Sequence, residues 1–179
     1  MKHKLVPFPD EQAQSWNLFS LGSSITKSQE SLDIEFQLTG NLSTLVWPPT
    51  VESSTRQDNL WETTCFEFFF AEPNSKNYWE VNLSPSGHWN VYGFKDYRQG
   101  MQPEKAIASL NIKSNFSENK ATLTCSIPID GLGLSQKNLD ISITSVLALE
   151  DGSISYWAVD HVAAEADFHQ RESFQLQVS

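Results

Sequence analysis

The chain has 179 residues, and its 22 acidic and 12 basic side chains give a net charge of −10. This length favours one domain spanning residues 1–179, and the acidic balance argues against a nucleic-acid partner, because phosphate recognition needs a basic surface. Aromatic residues (6 Trp, 11 Phe and 4 Tyr) make up 12% of the chain, so a packed core or a ligand-binding surface must account for them.

The sequence predicts a cytoplasmic protein with no membrane partner. Pro7 and Pro9 interrupt the basic N-terminus before an apolar run of signal-peptide length can form. No stretch approaches the roughly 20 apolar residues that a membrane helix needs. Cys65 and Cys125 lie far apart in the sequence, and we expect both to be reduced and buried.

Alternation of apolar and polar residues predicts a succession of β-strands. It runs through residues 31–39, 121–127 and 139–149, each with one apolar and one polar face, as in antiparallel sheets with one wet face. Asp151-Gly152 predicts a hairpin from the last of these strands into a strand over residues 154–159.

Helical signal is weak, and three segments could hold only a turn or two. These segments are residues 10–15, 103–108 and 162–167. Many short strands without a βαβ rhythm predict an all-β fold, namely a two-sheet antiparallel β-sandwich of the jelly-roll or immunoglobulin-like type.

The central block of the chain contains three predicted strands, over residues 60–70, 78–83 and 89–94. Residues 84–88, Ser-Pro-Ser-Gly-His, predict a tight turn between the second and third strands. Those two strands should therefore be adjacent and antiparallel.

Within this block, alternation places polar and acidic groups on one sheet face. Tyr78, Glu80 and Asn82 share a face of the second strand, and Glu67 alternates with three Phe residues on the first. A buried carboxylate is costly unless it is paired or hydrogen-bonded. The candidate basic partners for these carboxylates are Arg56, Lys95 and Arg98.

Two interpretations of this face stay open. Aromatic walls with a few convergent polar groups are typical of small-ligand sites, and a sugar matches them because its C–H face stacks on a ring while its hydroxyls bond to Glu, Asn and Arg. The alternative is that Trp61, Trp79 and Trp89 pack in the core and the glutamates pair with arginines at the surface.

The C-terminal part of the chain holds His161 and His169 among acidic residues. Seven residues separate them, which matches no tight metal-ligand spacing. Haem held through Met and His would have to use Met101 with one of the histidines, and no motif supports such a pair. We therefore expect neither a metal nor a cofactor. We expect this segment to form a loop whose side chains hydrogen-bond to the sheet. His161, at a strand end, could line the rim of a pocket.

The sequence resembles the DOMON-like bacterial proteins, which are grouped with family 9 carbohydrate-binding modules. The resemblance lies in residues 60–67 (LWETTCFE), 78–92 (YWEVNLSPSGHWNVY), 156–158 (YWA), His161, 167–169 (DFH) and 173–174 (SF). It implies a β-sandwich with a sugar-binding face that combines stacking Trp residues with polar groups. Residues 61–67 match the strand that supplies an aromatic ring and a carboxylate, and Tyr78, Glu80 and Asn82 match the next strand.

The leading hypothesis is a non-catalytic module that binds a small saccharide or related polar molecule. We expect Trp61 and Trp89 to stack on the ligand, with Trp157 as another candidate for the second ring. The expected hydrogen-bonding residues are Glu67, Glu80, Asn82 and Arg98. One rival is a glycoside-acting enzyme that uses Glu67 or Glu80 with His161 or His169 as acid and base. The other is a structural or protein-interaction sandwich without a small ligand.

Overall fold

The computed structural model describes residues 2–9 and 16–179, and in this part the chain forms twelve β-strands. The strands are β1 Lys2–Pro7, β2 Ser20–Lys27, β3 Ser31–Thr39, β4 Cys65–Ala71, β5 Tyr78–Leu83, β6 Trp89–Phe94, β7 Gln102–Pro103, β8 Ile112–Phe116, β9 Lys120–Pro128, β10 Leu139–Ala148, β11 Ile154–Ala158 and β12 Leu176–Val178. Short 3-10 turns occupy Leu42–Thr44, Leu60–Glu62, Asp130–Leu132 and Arg171–Ser173.

Hydrogen bonds join all these strands in one antiparallel path, β7-β6-β5-β4-β10-β11-β1-β2-β3-β9-β8, with β12 beside β10. The path runs through β1, whose residues 2–5 pair with β2 while residues 6–7 pair with β11. Phe36 on β3 and Phe66 on β4 are far apart in this order, yet their ring centroids lie 5.1 Å apart. The sheet therefore curls, and its two halves face each other across a shared core.

The all-β prediction is confirmed: the described residues form a curled antiparallel sheet, and their helical segments are short turns. The finer prediction of a two-sheet jelly-roll or immunoglobulin-like sandwich stays a prediction. Two of the three predicted helical turns, over residues 103–108 and 162–167, are turns and bends rather than helix. The third, over residues 10–15, lies outside the described residues.

The predicted wet face is found on β3 and β9 but not on β10. On β3, Leu32, Ile34, Phe36 and Leu38 are buried and alternate with more exposed residues. On β10, by contrast, Ser142 and Thr144 are fully buried. Ser142 lies opposite Phe69 of β4, whose ring packs against Phe168 and Phe174 near the C-terminus. The C-terminal segment therefore covers a face that alternation alone assigns to solvent.

The first strand of the central block is shorter than predicted. Residues 60–62 form a 3-10 turn and the strand begins at Cys65. The turn follows Asn59, whose φ of 61° is left-handed, a conformation that Asn tolerates better than most residues. Trp61 therefore lies on a turn at the sheet's edge instead of on a strand.

Both predicted hairpins are confirmed. The turn over residues 84–88 closes through a hydrogen bond from the Ser84 N–H to the His88 carbonyl at 2.9 Å, and β5 pairs with β6 in register Leu83 opposite Trp89. Asp151-Gly152 joins β10 to β11, with Ala148 opposite Ile154.

Cys65 and Cys125 are free and buried, as predicted. In the described ranges, no helix is long and apolar enough to cross a membrane.

Substitution of Gly40, which directly follows β3, tests the backbone geometry at the end of that strand. Its φ is +143°, and a Cβ placed there would lie 2.6 Å from the Leu18 carbonyl oxygen and 2.7 Å from a Phe19 ring carbon. We expect Gly40→Ala to lower the free energy of unfolding by about 3 kcal/mol, because strain and a backbone clash add. Urea denaturation followed by fluorescence measures this change.

Gly133 provides the matched control, since its φ is +73° but an added Cβ would meet nothing within 4 Å. Gly133→Ala should cost only about 1 kcal/mol, the strain of the left-handed backbone. Equal losses for the two variants would contradict the proposed clash at Gly40.

Candidate functional site

The register of β4 and β5 brings Glu67 and Glu80 to the same sheet face. Glu67 lies opposite Asn82, and Phe69 lies opposite Glu80. Because Glu80 and Asn82 are two residues apart on one strand, their side chains point the same way. The opposite face of these strands packs into the core through Phe66, Phe68, Phe70, Val81 and Leu83. The predicted assignment of side chains to the two faces of β4 and β5 is thus confirmed.

A cavity of about 330 Å³ lies over this face, and we call it the acidic cavity. Its polar lining residues are Glu67, Glu80, Arg98 and His169. Its aromatic lining residues are Trp61, Phe69, Phe94, Tyr156 and Phe168. The volume is at the lower end of the range for small-molecule sites, about 300–1,000 Å³.

Four of the eight predicted site residues line the acidic cavity, namely Trp61, Glu67, Glu80 and Arg98. Tyr78 and Asn82 lie behind the wall and are fully buried. The Asn82 side-chain amide donates to Glu80 Oε1 at 2.7 Å. These two residues hold lining side chains in place instead of facing the cavity.

Trp89 lies on the other side of the sheet, which contradicts its expected convergence with Trp61. Its side chain is 2% exposed, belongs to the core cluster and carries the Arg56 guanidinium 4.4 Å from its ring centroid. The physical reason is the β5–β6 register, since Trp89 pairs with the core residue Leu83. Trp157, the other candidate for a second stacking ring, is also in the core at 2% exposure.

His161 lies outside the acidic cavity and attaches the chain after β11 to β1. Its Nε2 atom lies 3.0 Å from the Val6 carbonyl oxygen, and its ring meets Phe8 edge-on with centroids 5.2 Å apart. Burial lowers its pKa, so the ring is neutral near pH 7. The histidine that lines the cavity is His169.

Several lining residues were not assigned to the site from the sequence. The Phe69 and Phe94 positions follow from alternation, since Phe69 shares a strand face with Glu67, and Phe94 pairs with Tyr78. Tyr156, Phe168 and His169 reach the cavity through contacts distant in sequence, and of these three only His169 had been considered, as an acid–base partner in the rival enzyme.

Arg98 lies at the cavity rim, where Asp167 fixes it. The guanidinium donates to Asp167 Oδ1 at 2.9 Å, and the Tyr97 hydroxyl donates to Asp167 Oδ2 at 2.6 Å. Burial alone would raise the pKa of Asp167, but these hydrogen bonds lower it to about 2. Arg98 has a left-handed φ of 51°, a strained conformation for a non-glycine residue. This segment therefore positions a charged group at the cavity.

No Arg or Lys of the described residues forms an ion pair with Glu67 or Glu80, although Arg56, Lys95 and Arg98 were the expected partners. Arg56 instead donates to the Asn90 side chain at 2.6 Å and to three backbone carbonyls. The two glutamates thus lie close together without a basic hydrogen-bond partner.

Burial raises the pKa of Glu67 well above its usual range, and the neighbouring Glu80 raises it further. Within the described chain, Glu67 Oε1 is sealed from solvent and accepts no hydrogen bond. The Thr144 hydroxyl, directly opposite on β10, also lacks a partner with hydrogen-bond geometry. The nearby Thr144 hydroxyl and Cys65 thiol offset only part of the pKa shift.

Burial raises the pKa of Glu80 to about 7, although the Asn82 hydrogen bond and the positive charge of Arg98 both lower it. This carboxyl therefore changes charge near neutral pH. A group that titrates there can hold a ligand as a hydrogen-bond donor or as an anion.

His169 is neutral at pH 7, because burial and the charge of Arg98 lower its pKa to about 4, against the raising effect of Asp167. Its Nδ1 atom lies 2.8 Å from the Tyr78 hydroxyl oxygen, which also accepts the Arg98 backbone N–H at 3.1 Å. A buried phenol needs an acceptor, so we assign the Tyr78 O–H as donor to Nδ1, which places the imidazole proton on Nε2. Nε2 and Glu80 Oε2 are 3.8 Å apart, too far for a direct hydrogen bond, and both remain available to a ligand.

Across the described residues, no group of three or more His, Cys, Asp or Glu side chains is arranged to hold a metal ion.

Replacing Glu80 with Gln tests its raised pKa. A carboxyl whose folded pKa of about 7 exceeds its ordinary 4.5 stabilises the protein fully below pH 4.5 and progressively less as the pH rises to 7. Gln keeps the acceptor for Asn82 but cannot ionise. Relative to wild type, Glu80→Gln should therefore gain about 3 kcal/mol of unfolding free energy between pH 4.5 and pH 8.

Urea denaturation at several pH values measures this difference. Glu35→Gln, on the exposed face of β3, is the control and should follow the wild-type pH profile. Parallel profiles for wild type and Glu80→Gln would show that Glu80 does not have the assigned pKa.

Comparison with known proteins shows similarity at the level of the fold. No protein-family model and no curated protein matches the sequence. A proposed carbohydrate-binding protein from Bacteroides uniformis aligns with a TM-score of 0.66 at 11% identity, covering 98% of this chain and 85% of that one. A family 9 carbohydrate-binding module from Caldicellulosiruptor kristjanssonii, in complex with cellotriose, aligns with a TM-score of 0.57 at 10% identity, covering 99% and 80%. The predicted resemblance to family 9 carbohydrate-binding modules is thus confirmed for the fold.

Proposed function

We propose that this chain is a non-catalytic carbohydrate-binding domain of the DOMON-like, family 9 type, which holds a small saccharide in the acidic cavity. One observation carries the proposal: Trp61 lines the same cavity as Glu80, Arg98 and His169. A saccharide presents C–H faces for a ring and hydroxyls for polar groups, and this cavity offers partners for both.

The indole of Trp61 is suited to ring contact with a ligand. It is partly buried and meets Tyr92 at 66° with centroids 5.9 Å apart. A tilted contact of this kind does not cover the indole as a parallel stack would. The cavity volume of about 330 Å³ fits a small saccharide rather than a long chain lying inside it.

The segment that carries Trp61 is held onto β6, which supports a preformed site. The Tyr92 hydroxyl donates to Asp58 Oδ1 at 2.6 Å, and the Asn90 side-chain amide donates to the same oxygen at 3.0 Å. Arg56 anchors the start of the segment through Asn90. A ring that is positioned before binding loses less entropy when the ligand arrives.

The polar groups could satisfy several hydroxyls together. Neutral His169 offers a donor at Nε2, Glu80 offers an oxygen that accepts no hydrogen bond within the described chain, and Arg98 adds N–H donors at the rim. We propose that residues 1–179 act as one domain in this function, supported by a core cluster that includes side chains from both halves of the sheet.

Titration with mono- and oligosaccharides, followed by tryptophan fluorescence and calorimetry, tests the proposal. At least one saccharide should bind, and Trp61→Ala should weaken it about tenfold through loss of ring contact. Trp47→Ala is the matched control, because Trp47 is also partly buried but packs against Phe116 away from the cavity. A folded protein that binds no saccharide would contradict the proposal.

An acid–base enzyme is a second candidate, favoured by the pKa of about 7 at Glu80 inside a cavity. A catalytic acid is most effective when its pKa lies near the working pH. The rival predicts turnover of chromogenic glycosides that is lost in Glu80→Gln. Saccharide binding without turnover would contradict the enzyme and support the binding function.

A further inference from the structure

We propose that the saccharide held in the acidic cavity carries a protonated amine, and that its ammonium group binds against Glu67 and Glu80. This inference rests on the proposed function, that the cavity holds a saccharide, and adds the chemical class of the ligand. Four features of the cavity support it.

The first feature is a buried carboxyl without a basic partner among the described residues. Glu67 is 2% exposed and lines the cavity, and its Oε1 atom accepts no hydrogen bond from the described residues. An ionised carboxyl buried without compensation is costly, so burial holds Glu67 towards its protonated form in the chain by itself. A cation bound in the cavity would supply the compensation that the chain itself does not provide.

The second feature is the charge balance of the lining. Glu67 and Glu80 are both acidic, whereas Arg98 is already paired with Asp167 at 2.9 Å. His169 adds no positive charge, because it is neutral at pH 7. When both carboxyls ionise, the cavity and its immediate ion pair therefore carry two uncompensated negative charges.

The third feature is the aromatic surround. The rings of Phe69, Phe94, Tyr156, Phe168 and Trp61 line the same cavity. Aromatic faces attract cations, and the attraction is strongest where water is excluded. An ammonium group is thus favoured by the rings as well as by the carboxyls, whereas an anionic ligand would be opposed by both.

The fourth feature is the number of acceptors. The Oε2 atom of Glu80 lies 3.8 Å from the nearest histidine nitrogen, and Glu67 adds a second carboxyl diagonally across the strands. An ammonium offers three N–H donors together with its charge. A sugar hydroxyl offers one donor and no charge, so it leaves an ionised pair of carboxyls unneutralised.

Calorimetric titration of the full chain with glucosamine, N-acetylglucosamine and glucose tests the inference. These sugars share a ring, but only glucosamine carries a charge, and at about pH 6.5 its amine is protonated if it resembles an α-amino group. Glucosamine should bind at least about tenfold more tightly than the other two sugars, and the preference should weaken in high salt.

Glu67→Gln tests the residue that carries the argument. The substitution keeps the shape and removes the charge, so the preference for glucosamine over glucose should fall several-fold. Glu104→Gln is the control, because Glu104 accepts the Trp79 indole N–H at 3.0 Å and lies outside the acidic cavity. If Glu67→Gln does not fold, the same ratio measured in Glu80→Gln decides.

The outcomes separate this inference from the proposed function. Glucose or N-acetylglucosamine binding as tightly as glucosamine would overturn the amine and leave saccharide binding standing. A folded chain that binds none of the three, nor any other saccharide, would overturn both. An unchanged preference in Glu67→Gln and in Glu80→Gln would remove the carboxyls as its cause.

Discussion

The burial of two carboxyl groups on one sheet face is the constraint to which the surrounding structure is adapted. Glu67 and Glu80 lie on neighbouring strands, and neither has a basic hydrogen-bond partner among the described residues. Asn82 donates to Glu80, and a histidine that approaches it is kept neutral by burial. These groups lessen the cost of burying the carboxyls without neutralising them. What results is a pair of acids that burial holds towards their protonated forms.

The cavity exists because distant parts of the chain meet over this face. The C-terminal segment is fixed to the sheet by Tyr78 at His169 and to the β6–β7 connection by Asp167 at Arg98. Arg171 adds a further attachment, with its guanidinium 3.4 Å from Asp140 Oδ2 on β10. The hydrogen bonds at His169 and Asp167 join segments about 90 and about 70 residues apart, respectively. A change in either partner would therefore alter the shape of the cavity without touching a ligand.

Alternation in the sequence was sufficient to assign the two faces of β4 and β5, because side chains on a strand alternate whatever the surroundings. The same rule places Trp89 in the core once the turn over residues 84–88 is used, since that turn sets Trp89 opposite Leu83. Trp61 could be chosen from sequence as a candidate that lines the cavity, but not as part of a 3-10 turn, whose position depends on the bond between Asp58 and Asn90. The choice between His161 and His169 could not be made from sequence, because the hydrogen-bond partner of each imidazole ring lies about 90 residues or more away.

The strand order also has consequences for the ends of the sheet. A curled sheet that does not close leaves an outer strand at each end, here β7 and β8, and unpaired backbone groups on such strands can join another chain. β7 has only two residues and includes Pro103, which has no N–H to donate. β8 carries exposed Lys113 and Asn115, and charge on an edge strand opposes stacking of copies side by side. These features of β7 and β8 disfavour the pairing of either strand with an edge strand of another copy of the chain.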